Sequence, residues 1–393
     1  MASRGIRDRV AIVGMGCTRF GEHWGRGPGD LLVEAAMGAC GSAGVDRERI
    51  DAYWMGTLTS GQSGLLLSEP LRTGYKPITR VENYCATGSE AIRNAAYAVA
   101  CGAYDLVMAV GVEKLKDSGF SGLASAAARP TDGTQSSMTA PATFSLLAPA
   151  YSRKYGLDRG TLRKVLTRIA HKNHANGARN PKAQYQRVVP EAAIENAPRV
   201  AGMLGVFDCS GVSDGAAAAI LCRTEDAHRY TDRPLLIKAL SFIAGPADGA
   251  KRQYYDYTTF PEVVASASDA YAQAGVRRPR EEISLAEVHD CFTPTELVLM
   301  EDLGFSSRGT AWKDTLEGRF EIGGEQPVNP DGGLKSFGHP IGASGLRMMY
   351  EMWLQFRGEA GERQIPAPKL GLTQNLGGAP GRCVSFVSVV GAN

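Results

Sequence analysis

Short apolar runs alternate along this chain with stretches whose apolar positions recur every three to four residues. Val10–Met15, Ala52–Thr57, Leu106–Val110 and Ala216–Cys222 read as strands, as do Leu235–Phe242, Leu285–Val288, Lys369–Thr373 and Cys383–Val390. Between them the helical period predicts helices over Pro28–Ala43, Glu90–Ala100, Thr161–Ala175, Glu262–Ala274, Pro294–Asp302 and Ser344–Arg357. Strands alternating with helices in this way predict an α/β protein with mostly parallel sheets covered on both faces.

The two ends of the chain follow one plan. Each opens with a strand (Arg9–Met15 and Pro234–Leu240), then a helix, then a second strand ending at Met55-Gly56 or at His289-Asp290. A glycine-bearing turn next opens a helix, Cys85 to Gly88 in the first half and His339 to Gly342 in the second. Another strand and further glycines close each copy, DLVMAVG and KLGLTQNLGG. Such duplication predicts two similar α/β halves, residues 1–231 and 232–393, packed about a pseudo-twofold axis. Cys85 and His339 would then stand at equivalent helix starts, near strand ends where ligands collect in such sheets. Residues of about 117–199 fit neither copy and read as an insertion lying over the site. Its basic run (Arg153, Lys154, Arg159, Arg163, Lys164, Arg168, His171, Lys172) would suit a phosphorylated carrier such as coenzyme A, although taken by itself it reads as a solvated helix face.

Composition narrows the class. With 44% hydrophobic and 21% charged residues, the 393-residue chain has the make-up of a globular enzyme with a large core. A net charge of +2 gives no reason to expect nucleic acid as a partner, and Arg277, Arg278 and Arg280 read as solvated surface. The eight cysteines are scattered without a C-x-x-C pair, which argues against a zinc site or a disulfide framework and for a reducing cytoplasm. No apolar run approaches the ~18 residues of a membrane span. The N-terminus lacks a signal-peptide pattern and the C-terminus lacks a targeting tail, so a cytoplasmic protein is expected.

Candidate chemistry gathers at the duplicated turns. Cys85 ends an irregular stretch and precedes a helix, whose unpaired N–H groups and dipole would stabilise a thiolate and lower the thiol pKa. A small buried hydrophobe is the other role such a cysteine takes. His339, in GGLKSFGHPIGASG, is held neutral if it sits beside a helix start, and neutral imidazole can accept a thiol proton. A structural turn histidine is its alternative. EVHDCFTP holds His289, Asp290 and Cys291 at a strand end, where Asp290 is a candidate to orient a neighbour and Cys291 a second acid/base. Three consecutive strand residues cannot all face one ion, so no metal is expected there. NLGGAPG, residues 375–381, offers backbone N–H groups for an oxyanion or is a simple turn. DCSGVSDG reads as packing beneath the site. Phe120, Phe144 and Tyr254 are candidates to line an acyl pocket, although core packing suits them as well.

Taken together, the cysteine at a helix start, H-D-C-F at 289–292, G-H-P-I-G-A-S-G at 338–345 and the terminal glycine-rich segment resemble the thiolase family. H-D-C-F is similar to the sterol-carrier-protein type, where commoner thiolases read N-E-A-F. The last segment also departs from the commoner C-x-G-G-G-x-G, placing Asn375 where those enzymes carry a second cysteine. The resemblance implies a five-layer α-β-α-β-α fold, a homodimer, and coenzyme A held partly by the insertion. It implies no metal and no cofactor beyond coenzyme A as substrate. Cys85 would carry the acyl group, His339 would be its base, and Cys291 would take the acid/base role. The N–H groups of Cys85 and Gly377 would hold one oxyanion, and His339 with His289 the enolate oxygen. Ser336, Phe337, Asn375 and Gly378 are the expected substrate contacts. The implied reaction is thiolytic cleavage of a 3-oxoacyl-CoA or the reverse Claisen condensation. Acyl transfer to a non-CoA acceptor, a retro-aldol cleavage, or a subunit needing a small OB-fold, zinc-ribbon partner are the alternatives. The Ser/Ala-rich stretch from Gly119 to Pro149 would be ordered by such a partner. Cys85-Ala-Thr differs from the commoner Cys-x-Ser, and no sterol-carrier segment follows, so lipid transfer is not expected.

Overall fold

The computed structural model describes residues 5–118, 138–251 and 255–392, which leaves Phe120, Tyr254 and most of the Ser/Ala-rich stretch outside the description. Nine strands form its main sheet. The first half supplies β1 (Val10–Cys17), β2 (Ala52–Gly56), β3 (Ile78–Val81), β4 (Leu106–Glu113) and β5 (Gly215–Arg223). The second supplies β6 (Leu235–Ala244), β7 (Leu285–Glu287), β8 (Leu370–Ala379) and β9 (Arg382–Gly391). The helices that place the site are α1 (Pro28–Ala43), α2 (Thr87–Ala100), α3 (Arg159–Ala178), α4 (Pro261–Ala274), α5 (Thr293–Asp302), α6 (Gly333–Ser336) and α7 (Ser344–Arg357).

The strand order is β3-β2-β4-β5-β1-β6-β9-β8-β7, which reads the same from both ends once β3 is set aside. A parallel bridge from Val328 to Ala286 of β7 occupies the place that β3 takes beside β2. Within the sheet the halves join at β1 and β6 through only two ladder pairs, Ala11–Leu236 and Ile12–Leu235.

The sheet is not mostly parallel. β2 pairs in parallel with β3 and β4, and β7 with β8, while the other ladders are antiparallel. Helical crossovers do leave β1, β2 and β4 running the same way. The last strand of each half then inserts antiparallel, β5 between β4 and β1, and β9 between β8 and β6. For β9 a tight hairpin at Ala379–Arg382 forces that direction. Periodicity reports burial of strands, not their polarity.

Burial on both faces is visible in β5. Ala216, Ala218 and Ile220 pack with α1, whereas Ala217, Ala219 and Leu221 pack inward beside α2 and α7. Helix α4 covers β6 and β9 on the far side. The layers therefore run α1, first-half strands, α2 with α7, second-half strands, α4. This is an α/β fold of five layers.

The central layer is tight because glycine backbones meet there. A Cβ on Gly111 of β4 would lie 2.1 Å from the Gly342 carbonyl oxygen, and one on Gly88 of α2 would lie 2.9 Å from the same atom. A Cβ on Gly345 of α7 would fall 2.5 Å from the Ser89 nitrogen. Side chains are excluded at this junction by backbone on both sides.

Gly111→Ala should thus displace the turn carrying His339 and destabilise the protein by about 1–3 kcal/mol, the usual cost of overpacking. Gly41→Ala, on the exposed face of α1 where an added Cβ meets nothing within 4 Å, should stabilise by roughly 0.5–1 kcal/mol. Denaturant melts of the two variants check both signs.

Candidate functional site

Cys85 follows Tyr84, whose φ of 49° is left-handed, a costly conformation for a bulky residue. Local hydrogen bonds hold it: Thr87 N and Oγ1 donate to the Tyr84 carbonyl at 3.0 and 2.5 Å, and Asn83 N donates to Thr87 Oγ1 at 2.8 Å. This bend turns the thiol out of the chain path into a cavity of ≈ 450 Å³. Helix α2 starts at Thr87, three residues earlier than its composition suggests, and Ala86 is its cap.

His339 reaches the cavity from the other half. Its Nδ1 lies 2.7 Å from Ser344 Oγ, and that hydroxyl donates its own proton to the Pro340 carbonyl at 3.0 Å. Ser344 therefore accepts from Nδ1–H, a network assignment that leaves Nε2 as the basic nitrogen. His289 enters edge-on, its ring centroid 5.4 Å from that of His339 at 83°. A ligand atom from each of Cys85, His289 and His339 lies within 4.8 Å of the others. Cys291 lines the same cavity, 6% exposed, with Thr295 Oγ1 3.7 Å from its sulfur.

Burial sets the charge state of all four. It pulls His339 down to about 3, with the Arg347 guanidinium adding to the effect, and holds His289 well below the usual range. Burial, and after it the carboxylate of Glu113, pushes the Cys85 thiol up to about 12. A lowered thiol pKa is therefore not what the site has. The first helical N–H, that of Thr87, is spent on the Tyr84 bend, and desolvation outweighs the dipole. Burial also raises Cys291 well above an ordinary thiol. The resting site holds two thiols and two neutral imidazoles.

Among the described residues, Cys85, His289 and His339 are the one cluster able to hold a metal ion. Its nitrogen and sulfur donors suit zinc, which would occupy the lone pairs that proton transfer needs.

The other expected contacts are placed differently. Gly378 lines the cavity, but Ser336, Phe337 and Asn375 do not. Ser336 Oγ donates to the Tyr185 carbonyl, and Phe337 packs on Phe20 at 4.8 Å. Asn375 Oδ1 accepts from Ser89 Oγ at 2.6 Å, tying α2 to β8. Gly377 abuts the bend before Cys85, where a Cβ would lie 2.5 Å from the Asn83 carbonyl oxygen. Residues 375–379 belong to β8 rather than to a loop. Asp290 orients backbone, accepting from the N–H groups of Leu334 and Lys335 and from Asn173. Phe144 does line the cavity.

The insertion acts mainly as a clamp on the turn that leads to His339. From α3, Lys172 Nζ donates to the Val328 carbonyl, Asn176 to that of Asn329, and Asn180 just beyond α3 to that of Asp331. Much of the basic run is likewise paired: Arg163 with Asp208, Arg168 with Glu191, Lys172 with Glu296 and Lys154 with Asp256. The spacing of Lys172, Asn173, Asn176 and Asn180 marks one helix face, the signal that could have shown a buried polar stripe.

The chain matches the family descriptions "Thiolase, N-terminal domain" over residues 10–225 and "Thiolase C-terminal domain-like" over 248–388. It belongs to the thiolase family, and it is an enzyme of the acyltransferase class. An acetyl-CoA acetyltransferase of Methanothermobacter thermautotrophicus is 37% identical over 96% of this chain and 98% of that protein. Sterol carrier protein 2 of Homo sapiens is 32% identical over 94% of this chain and 70% of that protein. Among solved structures, an "Ltp2-ChsH2(DUF35) aldolase" superposes with a TM-score of 0.82 at 27% identity, covering 98% of both chains. Human mitochondrial 3-ketoacyl-CoA thiolase shares the fold at a TM-score of 0.70 and 18% identity, covering 99% of both. Among the described residues no helix is long and apolar enough to cross a membrane.

Cys85 loses its proton only as pH rises through about 12, and His339 gains one only as pH falls through about 3. Acylation of Cys85 should therefore be level from about pH 5 to 9, where an ordinary imidazole would impose a break near 6.5. Rapid-quench acylation across that range checks it.

Proposed function

We propose that this enzyme cleaves 3-oxoacyl-CoA with coenzyme A, or runs the reverse Claisen condensation, through an acyl group on Cys85. The observation that carries the reading is the meeting of Cys85, His289 and His339 donors within 4.8 Å, with Cys291 in the same cavity. As the Cys85 sulfur bonds to the 3-keto carbon, its proton passes to His339 Nε2. The carbon–carbon bond then breaks, leaving a thioester on Cys85 and the enolate of an acyl-CoA. His289 and His339, the latter now holding the Cys85 proton on Nε2, would donate hydrogen bonds to that enolate oxygen, and the Cys85 and Gly377 N–H groups to the other oxyanion.

Cys291 delivers a proton to the enolate carbon, a role its raised pKa favours because the resting sulfur is protonated. The resulting thiolate takes the proton of incoming coenzyme A, whose sulfur bonds to the acyl carbon while the departing Cys85 sulfur recovers its proton from His339. No electrons are gained or lost overall, so the reaction needs no redox cofactor.

Incubation with an acyl-CoA should add one acyl mass at Cys85, and full activity in Cys85→Ala would end the reading. Cys291→Ala should still acylate while condensation falls about 10²–10⁴-fold, the usual contribution of a positioned acid/base.

The likeness to the aldolase complex favours a second reading, in which a small OB-fold, zinc-ribbon protein completes the site and the bond broken is that of an aldol. Retention of both Cys85 and Cys291 supports acyl transfer, to coenzyme A or to another acceptor. Untagged expression separates the two readings: an active homodimer purified alone would sink the partner requirement. Strand β3 at the sheet edge, beside exposed Leu65, Tyr75 and Tyr84, supports such a homodimer. The cytoplasm is the compartment we infer, from eight cysteines without a disulfide framework.

A further inference from the structure

Lys335 of α6, four residues before His339, is 1% exposed and stands in the cavity wall. Its Nζ has no hydrogen-bond partner. An ammonium carries three donors, and burying one unpaired is among the costliest arrangements an interior can hold. The nearby carboxylates are already engaged. Asp208 accepts from Arg163, Thr293 and Gly205 N, and Asp290 accepts from Asn173 and two backbone N–H groups. They offset the Lys335 charge at a distance without binding it.

His174 of α3 stands in the same wall, 4% exposed, with Nδ1 also unpartnered. Burial, and after it the Lys335 charge, pulls its imidazole down to about 3, so this ring is neutral. Phe207 packs edge-on against it at 5.6 Å, and Phe144, Val200, Val206 and Phe292 make much of the remaining wall apolar. One buried cation and one neutral imidazole in an apolar wall match a ligand with an apolar body and a single anionic oxygen group. Neither residue is needed for the proton transfers between Cys85, His339 and Cys291 described above.

We propose that Lys335 and His174 form a polar subsite for a carboxylate on the acyl chain, so that the cavity selects 3-oxoacyl thioesters carrying a second acid group. This rests on the thioester reading of the site. Lys335 approaches the carboxylate as a charged donor, and His174 Nδ1 supplies a further hydrogen bond in the tautomer that protonates it. A plain hydrocarbon chain of equal length would leave both nitrogens unpaired.

The experiment uses Cys85→Ala protein, which does not consume ligand, and calorimetric Kd values for two 3-oxoacyl-CoA probes of matched length. One ends in a methyl group and the other in a carboxylate. The carboxylate probe should bind about 10–100-fold tighter, the worth of a charge-assisted hydrogen bond. Adding Lys335→Met should erase that ratio, whereas Lys335→Arg should keep most of it. A ratio is insensitive to partial loss of folded protein. Equal affinity for the two probes overturns the proposal, and so does an equal loss of both in Lys335→Met, which would place Lys335 with the reacting groups instead. Acylation of Cys85 by a plain acyl-CoA is scored separately in the protein with Cys85 intact. Its failure would sink the thioester chemistry and leave the Kd ratio to report on Lys335 alone.

Discussion

The Gly342 carbonyl, pressed against the glycines of the opposite half, is the contact on which the site depends. Cys85 and His339 stand just before the two helices of the central layer, one from each half, and their donors lie within 4.8 Å. That approach is possible only where Gly111 and Gly88 present bare backbone to Gly342, and Gly345 presents it to Ser89. Glu113 then fastens the junction. Its carboxylate accepts from Gly342 N at 3.0 Å and from Leu58, Thr59 and Ser60 N, so one buried side chain ties the His339 turn to the segment that follows β2. The same charge stands second among the causes that keep Cys85 protonated. Packing and reactivity are thus set by one junction.

A second buried charge group works from the other side of α7. Arg347 is fully buried and pairs with Glu287 at 2.7 Å and with Asp331. Its guanidinium lowers the basicity of both His289 and His339. Buried ion pairs add little net stability, but removing one partner strands the others at a cost of about 3–5 kcal/mol. Glu287 ends β7 and Asp331 lies in the turn before α6, so the group also fixes where the two histidines emerge. The centre is neutral because it is buried, and the charges held around it add to that effect.

Much of this was legible in the residues. Apolar runs located the strands, the repeated order of elements revealed two halves, and the glycine-bearing turns placed Cys85 and His339 at equivalent helix starts. What stayed hidden depends on distance in space. Nothing local in the sequence marks Tyr84 as left-handed, because the tyrosine side chain gives no such preference and the bend is held by Thr87. Strand polarity was misread because β5 and β9 are as continuously apolar as parallel strands are. The basic run of α3 read as a solvated face or a surface for a phosphorylated carrier. Arg163 and Arg168 instead pair with Asp208 and Glu191, and Lys172 with Glu296 and the Val328 carbonyl, which lie more than 100 residues away in sequence.

The second thiol shows how such constraints divide the work. In β8, Asn375 is fully buried and its Oδ1 binds Ser89 Oγ, two residues into α2. A cysteine there would surrender the tie that holds the helix after Cys85 against the second half, since sulfur is a weak acceptor. Cys291 instead follows the end of β7, where its carbonyl accepts from Ser210 N at 2.9 Å and its sulfur faces Thr295 of α5. The backbone there is anchored independently of α2. A thiol that must gain and lose a proton in the proposed cycle therefore sits on a segment whose position does not depend on its own hydrogen bonding. Asn375 holds the framework and Cys291 stands against it, so the two positions cannot exchange roles without loosening Cys85.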